Sequence, residues 1–265
     1  MSLFVIVPGF GAPHIEKKRE ILKSNLAILR SHPWTSLEVV VCAYDTHVST
    51  HDTHVSTYDT HVSTHDTHVS TYDSQESTPI RWIHEKGVVG DFIRRHANPT
   101  TDYVMILLDD VELQPDVNFT QLLAFQRQFQ FDILSPTLTR KSKYQFEYMR
   151  TNPFEPYDIK VTACCECFCL FFPIHAYQKY RALLSPENPW LWGLDMMLWK
   201  VFGFKIGMLN RMTMMHHYKG ESYAAHLPNP AEGYQYEIKK YNVNNDDLVN
   251  QPAEHYWITK NPAEP

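Results

Sequence analysis

LLDDVEL, residues Leu107 to Leu113, closes a run of apolar residues that begins at Tyr103. The apolar run predicts a buried strand, and two aspartates and a glutamate follow it directly. Carboxylates delivered together to one edge of a sheet repel one another unless a cation or hydrogen-bond donors compensate them. The stretch therefore predicts a sheet whose edge holds a divalent metal ion.

Around this stretch the sequence alternates between strand and helix patterns. Strands are predicted at residues 3–8, 37–44 and 80–84, with helices at 15–32, 88–97 and 119–129. Farther along, antiparallel strands are expected near 144–148 and 159–172, helices at 174–184 and 193–202, strands at 205–209 and 212–217, and a helix near 232–241. The fold class is α/β: one domain spanning 1–265, with a mixed, mostly parallel central sheet, helices on both faces and a small antiparallel sheet on one side.

Composition limits the function classes. The 265 residues are 43% hydrophobic and carry a formal net charge of -6, with scattered basic residues, which argues against nucleic-acid binding. The five cysteines, four of them between Cys164 and Cys169, indicate buried thiols rather than a disulfide framework or a zinc site. Neither a signal peptide nor an apolar run of about 18 residues occurs, so a cytoplasmic protein without a membrane span is expected.

A tandem repeat interrupts the first third of the chain. DTHVSTH and DTHVSTY alternate from Asp45 to Tyr72, and a decayed copy extends the repeat to Thr78. Each unit offers a single Val, which is too little for a coiled-coil seam. We interpret residues 45–78 as a surface insertion in a loop, and residues 220–265, rich in Pro, as a wrapping tail.

The order of several motifs resembles that of GT-A glycosyltransferases, which transfer a sugar from a nucleotide diphosphate to an acceptor. The motifs are VIVPGF in the first strand, CAYD in the second, LLDDVEL, WGLD at residues 192–195 and a late His-Tyr at 217–218. Because it lacks an evident membrane anchor, the chain also resembles virus-encoded glycosyltransferases that build capsid glycans in the host cytosol.

The resemblance implies a Mn²⁺ or Mg²⁺ site. The family signature is Asp-any-Asp, which this chain fits in two registers, and only Asp110 has a role in both. Asp110, Glu112 and His217 are the predicted metal ligands, and Asp109 is expected to contact the nucleotide. Adjacent side chains of a strand face opposite ways, so His216 is the alternative to His217.

The catalytic base is predicted to be Asp195, with Glu166 as the alternative. An inverting transfer needs a carboxylate that takes the proton from the acceptor hydroxyl. The aromatic surroundings of Asp195 would exclude water and raise its pKa, and Trp190 and Trp192 would stack on acceptor sugars. Glu166 stands alone in the apolar segment CCECFCLFF, which is expected to be a strand.

Nucleotide contacts are expected where the first strands end. Pro8 and Gly9 would bring the backbone close to the base or ribose, and Asp45 would accept hydrogen bonds from them. Arg94 and Lys219 are the predicted diphosphate contacts; Arg95 and Lys86 are alternatives to Arg94.

These residues favour a metal-dependent transferase that uses a UDP-sugar, with UDP-xylose as the family-level guess for the donor and a glycan or glycoprotein as the acceptor. A sugar-phosphate nucleotidyltransferase is one alternative, although PGFGAPH lacks the Arg expected after its first strand. A glycan- or nucleotide-binding module with a decayed site is the other.

Overall fold

The chain folds around one mixed sheet of eleven strands. A computed structural model describes residues 1–11, 14–43, 68–72, 80–143, 147–152, 154, 157–217, 229–249 and 257–259. The strands are β1 Ser2–Phe10, β2 Ser36–Ala43, β3 His68–Tyr72, β4 Ile80–His84, β5 Tyr103–Leu107, β6 Val111–Leu113, β7 Ile133–Leu138, β8 Tyr157–Thr162, β9 Cys169–Pro173, β10 Ile206–His216 and β11 Trp257–Thr259. Their order is β11-β8-β10-β7-β9-β5-β1-β2-β4-β3, and β6 pairs with β10.

The helices connect and cover these strands. They are α1 Ile15–Arg30, α2 Val89–His96, α3 Phe119–Phe129, α4 Ile174–Arg181, α5 Leu194–Met197, α6 Pro230–Tyr241 and α7 Asn245–Val249. Helix α1 turns one face toward the core, on which Ile21, Leu22, Leu26 and Leu29 recur at helical spacing. Within the described part of the chain, no helix has the length and apolarity needed to cross a membrane.

The parallel part of the sheet confirms the α/β prediction. Strand β1 pairs in parallel with β2 on one side and β5 on the other, and β2 continues to β4. Strands β1 and β5 are almost fully buried apolar runs, as expected for strands covered on both faces. Their carboxyl ends meet at one edge, so the loops after β1 and β5 lie side by side.

The antiparallel strands belong to the same sheet rather than to a separate small one. Strand β9 pairs with β5 along its whole length and also contacts β7, while β10 joins β7, β8 and β6. The two late strands predicted at 205–209 and 212–217 form the single strand β10, because the break between Leu209 and Thr213 is a bulge in its pairing.

Three segments depart from the predicted secondary structure. The predicted strand 159–172 is interrupted: β8 ends at Thr162, β9 begins at Cys169, and the cysteine-rich stretch between them is a turn. The helix predicted at 193–202 is only the single turn α5. Near 144–148, residues 147–149 form a short 3-10 helical turn, and residues 144–146 lie outside the described residues.

The last part of the repeat contributes a strand. Residues 68–72 form β3, which pairs antiparallel with β4 over five residue pairs at the end of the sheet. The rest of the segment 45–78 lies outside the described residues.

Candidate active site

The loop after β1 contributes backbone to the carboxyl edge of the sheet. Pro8 is buried, and the pairing of β1 with β2 shifts between Pro8 and Phe10. Gly9, at the shift, has φ 82°, a left-handed conformation that glycine adopts without steric cost. The predicted nucleotide contacts Pro8 and Gly9 therefore lie at the expected edge, whereas Asp45 and Lys219 lie outside the described residues.

Asp109 is held by a buried lysine. Lys18 Nζ lies 2.7 Å from Asp109 Oδ2 and donates to the carbonyl of Gly11 at 2.8 Å, and the Gly11 N–H donates to the same carboxylate oxygen at 3.3 Å. Burial, followed by the charge of Asp110, raises the pKa of Asp109 to about 7, and the Lys18 ammonium acts in the opposite direction. Asp109 thus joins the loop after β1 to the end of β5.

Asp110 faces His216. Asp110 Oδ2 lies 3.1 Å from His216 Nε2, while His216 Nδ1 lies 2.7 Å from the carbonyl oxygen of Lys143. A carbonyl only accepts, so Nδ1 carries a proton and a neutral ring would turn its Nε2 lone pair toward the carboxylate. The two groups therefore attract each other only when a proton or a metal ion lies at Nε2 of His216.

The surroundings of His216 favour a positive charge there. Burial by itself lowers the pKa of His216, but the hydrogen bond with Asp110 and the charge of that carboxylate outweigh it, so the pKa lies above its usual value. The ring of Phe168 stacks on the imidazole with a centroid separation of 4.2 Å. The ring is fixed by its two hydrogen bonds and by this stacking.

Glu112 and His217 form a second pair on the other side of the strands. His217 Nε2 lies 2.8 Å from Glu112 Oε2, and the His217 backbone N–H donates to the carbonyl of Asp110 at 3.1 Å. Side chains of neighbouring residues in a strand point to opposite faces, so β10 separates the two histidines. In the structure Asp110 therefore faces His216, the alternative to His217, and His217 faces Glu112.

Two ligands of one metal ion fit at Asp110 and His216. Cis ligands in an octahedral site with bonds of about 2.1 Å lie about 3.0 Å apart, close to the 3.1 Å between Asp110 Oδ2 and His216 Nε2. The second ring nitrogen donates to a carbonyl, as it does in most histidines that bind metals. Among the described residues, no group of three or more His, Cys, Asp or Glu side chains is arranged to hold a metal ion.

Asp195 contacts the cysteine-rich turn between β8 and β9. The Cys164 thiol donates to Asp195 Oδ2 at 3.8 Å. Burial raises the pKa of Asp195 to about 6, although the backbone N–H of Met196 and the Cys164 thiol act in the opposite direction. A carboxylate with a pKa near neutrality is suited to accept a proton from a hydroxyl.

Glu166 lies in the turn between β8 and β9, not in a strand as predicted. It is partly exposed, and its charge contributes to raising the pKa values of His216, Cys164 and Cys167. Asp195 also contributes to the raised pKa values of Cys164 and Cys167. Both carboxylates predicted as bases therefore lie close enough to Cys164 and Cys167 for their charges to raise the pKa values of those thiols.

Helix α6 packs against the WGLD loop. Trp192 is 47% exposed, and its carbonyl accepts from the Asn188 side chain. Gly193 has φ 76°, and a β-carbon there would overlap the ring of Tyr234 on α6. Trp190 is partly exposed. Trp192 is exposed three residues before Asp195 in the chain, and contact of Trp190 and Trp192 with an acceptor sugar stays a prediction.

The side chain of Arg94 does not lie near the acidic residues Asp109, Asp110 and Glu112. Its side chain lines a cavity that also includes Ile174, whose N–H donates to the carbonyl of Asp102 at the amino end of β5. Asp109 follows the carboxyl end of the same strand. The five residues of β5 span about 17 Å, so a diphosphate at Asp110 is beyond the reach of Arg94.

Sequence reasoning missed two residues that hold the acids in place. Lys18 is 7% exposed and Asn25 is 2% exposed, and both lie on the buried face of α1. The Asn25 side chain donates to the carbonyl of Val111 and accepts from the N–H of Leu113, each at 2.8 Å. Residues 18, 21, 22, 25 and 29 recur on one face of α1, and this spacing was the sequence signal that could have identified Lys18 and Asn25. A polar residue among core leucines on such a face needs a buried partner.

The fold resembles that of two solved structures. GalNAc-T7, solved with UDP, GalNAc and Mn²⁺, matches with a TM-score of 0.55 at 10% identity over 94% of this chain and 50% of that one. S. aureus TarS 1-349, in complex with UDP-GlcNAc, matches with a TM-score of 0.51 at 11% identity over 91% of this chain and 65% of that one.

The chain thus spans from half to 65% of the length of these two proteins. It matches no protein-family model and no curated protein sequence. At these identities the likeness shows the fold alone, a single α/β domain of the GT-A, Rossmann-like kind with a mixed central sheet.

Proposed function

We propose that this protein is a metal-dependent glycosyltransferase that takes a UDP-sugar as donor. The observation that carries the proposal is the Asp110–His216 pair at the carboxyl edge of β5, where a carboxylate oxygen and an imidazole nitrogen face each other at 3.1 Å. In open α/β sheets, ligands bind beyond the carboxyl ends of the strands. Two neighbours with this fold were solved with UDP or a UDP-sugar, and one of them also with Mn²⁺.

Asp110 and His216 would hold the metal ion, with substrate phosphates and water completing its coordination. When bound, the ion supplies positive charge that stabilises the departing nucleotide diphosphate. Glu112 and His217, paired on the opposite side, would fix the short strand β6 and through it the position of Asp110. A mixed carboxylate and imidazole set favours Mn²⁺ slightly over Mg²⁺.

Asp195 would act as the base of an inverting transfer. Its raised pKa means that it holds a proton more strongly than an exposed aspartate but is still ionised at neutral pH. As the acceptor hydroxyl attacks the anomeric carbon, its proton passes to Asp195 and the bond between sugar and diphosphate breaks. Trp192 would stack on the acceptor, and Glu166, close to the same thiols, is the alternative base.

The base and ribose of the donor would lie against Pro8 and Gly9, where the pairing of β1 with β2 shifts. Asp109 would orient the loop after β1 through the Gly11 N–H and Lys18. Asp45 and Lys219 keep their proposed roles at the ribose and the diphosphate.

The test is UDP release with Mn²⁺ and a panel that includes UDP-xylose, UDP-GlcNAc and UDP-GalNAc. Wild type should release UDP with at least one donor, and Asp110→Asn should abolish release while the fold survives. Asp158→Asn is the matched control, because Asp158 pairs with Arg211 on β8 and β10, far from the strand end. Full activity of Asp110→Asn would overturn the metal assignment.

A binding module without catalysis is the second candidate, and one feature favours it. Asp109, Asp110 and Glu112 each face a nitrogen of the protein itself, namely Lys18, His216 and His217. Internal partners of this kind stabilise an acidic cluster without a metal ion. UDP binding by wild type with no turnover of any donor in the panel would support this candidate.

A further inference from the structure

The loop before Asp195 has a strained backbone at Leu191. This residue has φ 64°, and its side chain is 5% exposed. Leucine rarely adopts the left-handed conformation, and such strain persists only where the surrounding structure enforces it. The other described non-glycine residues with a left-handed backbone cap helices: His14, Gln130 and Asn242. Within the described part of the chain, Leu191 is thus the one that lies inside a loop.

Asn188 holds this loop together. Its side chain is 1% exposed, and its amide nitrogen donates to the carbonyl of Trp192 at 3.0 Å. The carbonyl of Asn188 accepts from the N–H of Leu191 at 3.2 Å, and the carbonyl of Leu191 accepts from the N–H of Leu194 at 3.1 Å. Leu194 begins α5, whose first turn contains Asp195. A short series of hydrogen bonds therefore connects Asn188 to the turn that carries the proposed base.

Two helices contact the loop through glycines. A β-carbon on Gly233 of α6 would lie 2.5 Å from Oδ1 of Asn188. On α2, the N–H of Gly90 donates to the carbonyl of Pro189 at 2.7 Å, and a β-carbon there would lie 2.7 Å from the same oxygen. Glycine allows this approach because it has no β-carbon. Asn188 is therefore fixed between its hydrogen bond to Trp192 and the backbone of α6.

The arrangement around Asn188 is not the one that would be most stable. Its Oδ1 is buried and has no hydrogen-bond partner among the described residues. Helix α6 also places Glu237, which is 1% exposed, against Asn188. Burial raises the pKa of Glu237, and a hydrogen bond with Asn188 acts in the opposite direction. An unsatisfied buried oxygen close to backbone strain favours a functional role for Asn188 over a purely structural one.

The position of the loop determines how deeply Asp195 is buried. Burial is the largest cause of its raised pKa. Tyr234 of α6, whose ring lies on Gly193, has a pKa that is raised first by burial and then by the charge of Asp195. Helix α6 therefore lies within electrostatic range of the carboxylate. A displacement of the loop would change both the orientation of Asp195 and its exposure to water.

We propose that Asn188 is a positioning residue for Asp195, which acts by holding the carbonyl of Trp192 and, through it, the turn that orients the carboxylate. This inference rests on the proposed function, because it is as a base that Asp195 needs a fixed orientation. Asn188 is buried and acts through the loop rather than by contact with the substrates. Supporting residues of this kind hold a reacting group in its productive geometry.

The test follows the titration of Asp195 in the folded protein by carbon-13 nuclear magnetic resonance of the side-chain carboxyl groups, with Asp195→Asn to identify the signal. The wild-type midpoint should lie near pH 6. In Asn188→Ala the carboxyl should become at least about tenfold more acidic, because a displaced loop admits water. Gly233→Ala should act in the same direction, since its methyl group displaces the Asn188 amide. The groups whose pKa values respond to the charge of Asp195 all have raised pKa values and titrate above this range: Cys164, Cys167, Tyr148, Tyr180 and Tyr234.

Asn210→Ala is the matched control. Asn210 is 5% exposed, and its amide likewise donates to main-chain carbonyls, those of Asn152 and Tyr157. This variant should lose stability and leave the titration of Asp195 unchanged. An unchanged midpoint in Asn188→Ala would overturn the proposal, as would equal changes in Asn188→Ala and Asn210→Ala, which would indicate general loosening. If Asn188→Ala does not fold, Gly233→Ala decides by the same criteria.

Turnover is measured separately from positioning. The kcat of Asn188→Ala should fall by at least about tenfold while the KM for the donor stays the same, because the loop orients the base and does not bind the nucleotide. A more acidic Asp195 in Asn188→Ala, with no UDP release by wild type, would contradict the transferase but not the positioning. UDP release by wild type, with the kcat and the Asp195 titration unchanged in Asn188→Ala, would contradict the positioning alone.

Discussion

Replacing Asp195 by Asn should stabilise the folded protein at neutral pH while it abolishes transfer. Burial raises the pKa of Asp195 from 3.8 to about 6, so ionisation of this carboxyl is less favourable in the folded chain than in the unfolded one. Asn has nearly the same shape and no charge to desolvate. The residue that would act as the base therefore destabilises the fold at the pH at which it works.

The size of the effect follows from the pKa shift. A shift from 3.8 to about 6 corresponds to about 3 kcal/mol at about 1.4 kcal/mol for each pKa unit. Below pH 3.8 both states are protonated and the effect is absent. Between 3.8 and about 6 the unfolded chain has lost the proton while the folded chain still holds it, so wild-type stability falls as the pH rises. Above about pH 6 the full loss persists.

Urea unfolding of both proteins between pH 4 and pH 8 measures this difference. The stability of Asp195→Asn relative to wild type should increase by about 2.5 kcal/mol across that range, because part of the effect is already present at pH 4, while other titrating groups cancel. Glu20→Gln, which removes an exposed carboxyl on α1, is the control substitution. A difference for Asp195→Asn that does not change with pH would refute the reasoning. Wild-type turnover should rise with pH through about 6, as the base loses its proton.

Three further substitutions test how the site is built. Lys18→Met leaves Asp109 buried without its cation, so the free energy of unfolding should fall by about 3 kcal/mol or more in the same urea assay. The double variant Lys18→Met with Asp109→Asn should recover most of this loss. Gly193→Ala introduces a β-carbon at φ 76° against the ring of Tyr234. Thermal unfolding should show a loss of about 1–3 kcal/mol in stability. Wild-type stability of this variant would contradict the close approach of the ring to the backbone. His216→Gln should weaken Mn²⁺ binding in the presence of UDP by at least about tenfold, as followed by electron paramagnetic resonance, whereas His217→Gln should have the smaller effect. The opposite ranking of the two histidines would restore the pairing of His217 with Asp110.

Much of the fold could be predicted from local sequence pattern. The predicted strand at 80–84 and helix at 119–129 coincide with β4 and α3, and the apolar run before Asp109 is β5. Buried parallel strands and amphipathic helices carry their periodicity within a few residues, so it can be read without tertiary information. The strand β7, Ile133–Leu138, contains Pro136, and the local pattern did not indicate it.

The candidate site could be predicted less completely, because its contacts join residues far apart in sequence. Whether His216 or His217 faces Asp110 depends on the pairing of β10 with β6, which aligns His216 with Val111. A shift of one residue in that register would exchange the two side chains. The position of Arg94, at the other end of β5, depends likewise on the direction in which α2 runs back along the sheet.

The sequence by itself determined that acids follow a buried strand and that Asp110 is the residue common to both readings of the signature. It did so because burial of an apolar run and repulsion between neighbouring carboxylates are local properties. Only the tertiary structure decided which groups compensate those charges: Lys18 for Asp109 and His216 for Asp110. Hydrogen bonds and ion pairs act over about 3 Å, and only strand register and helix packing bring such distant residues that close.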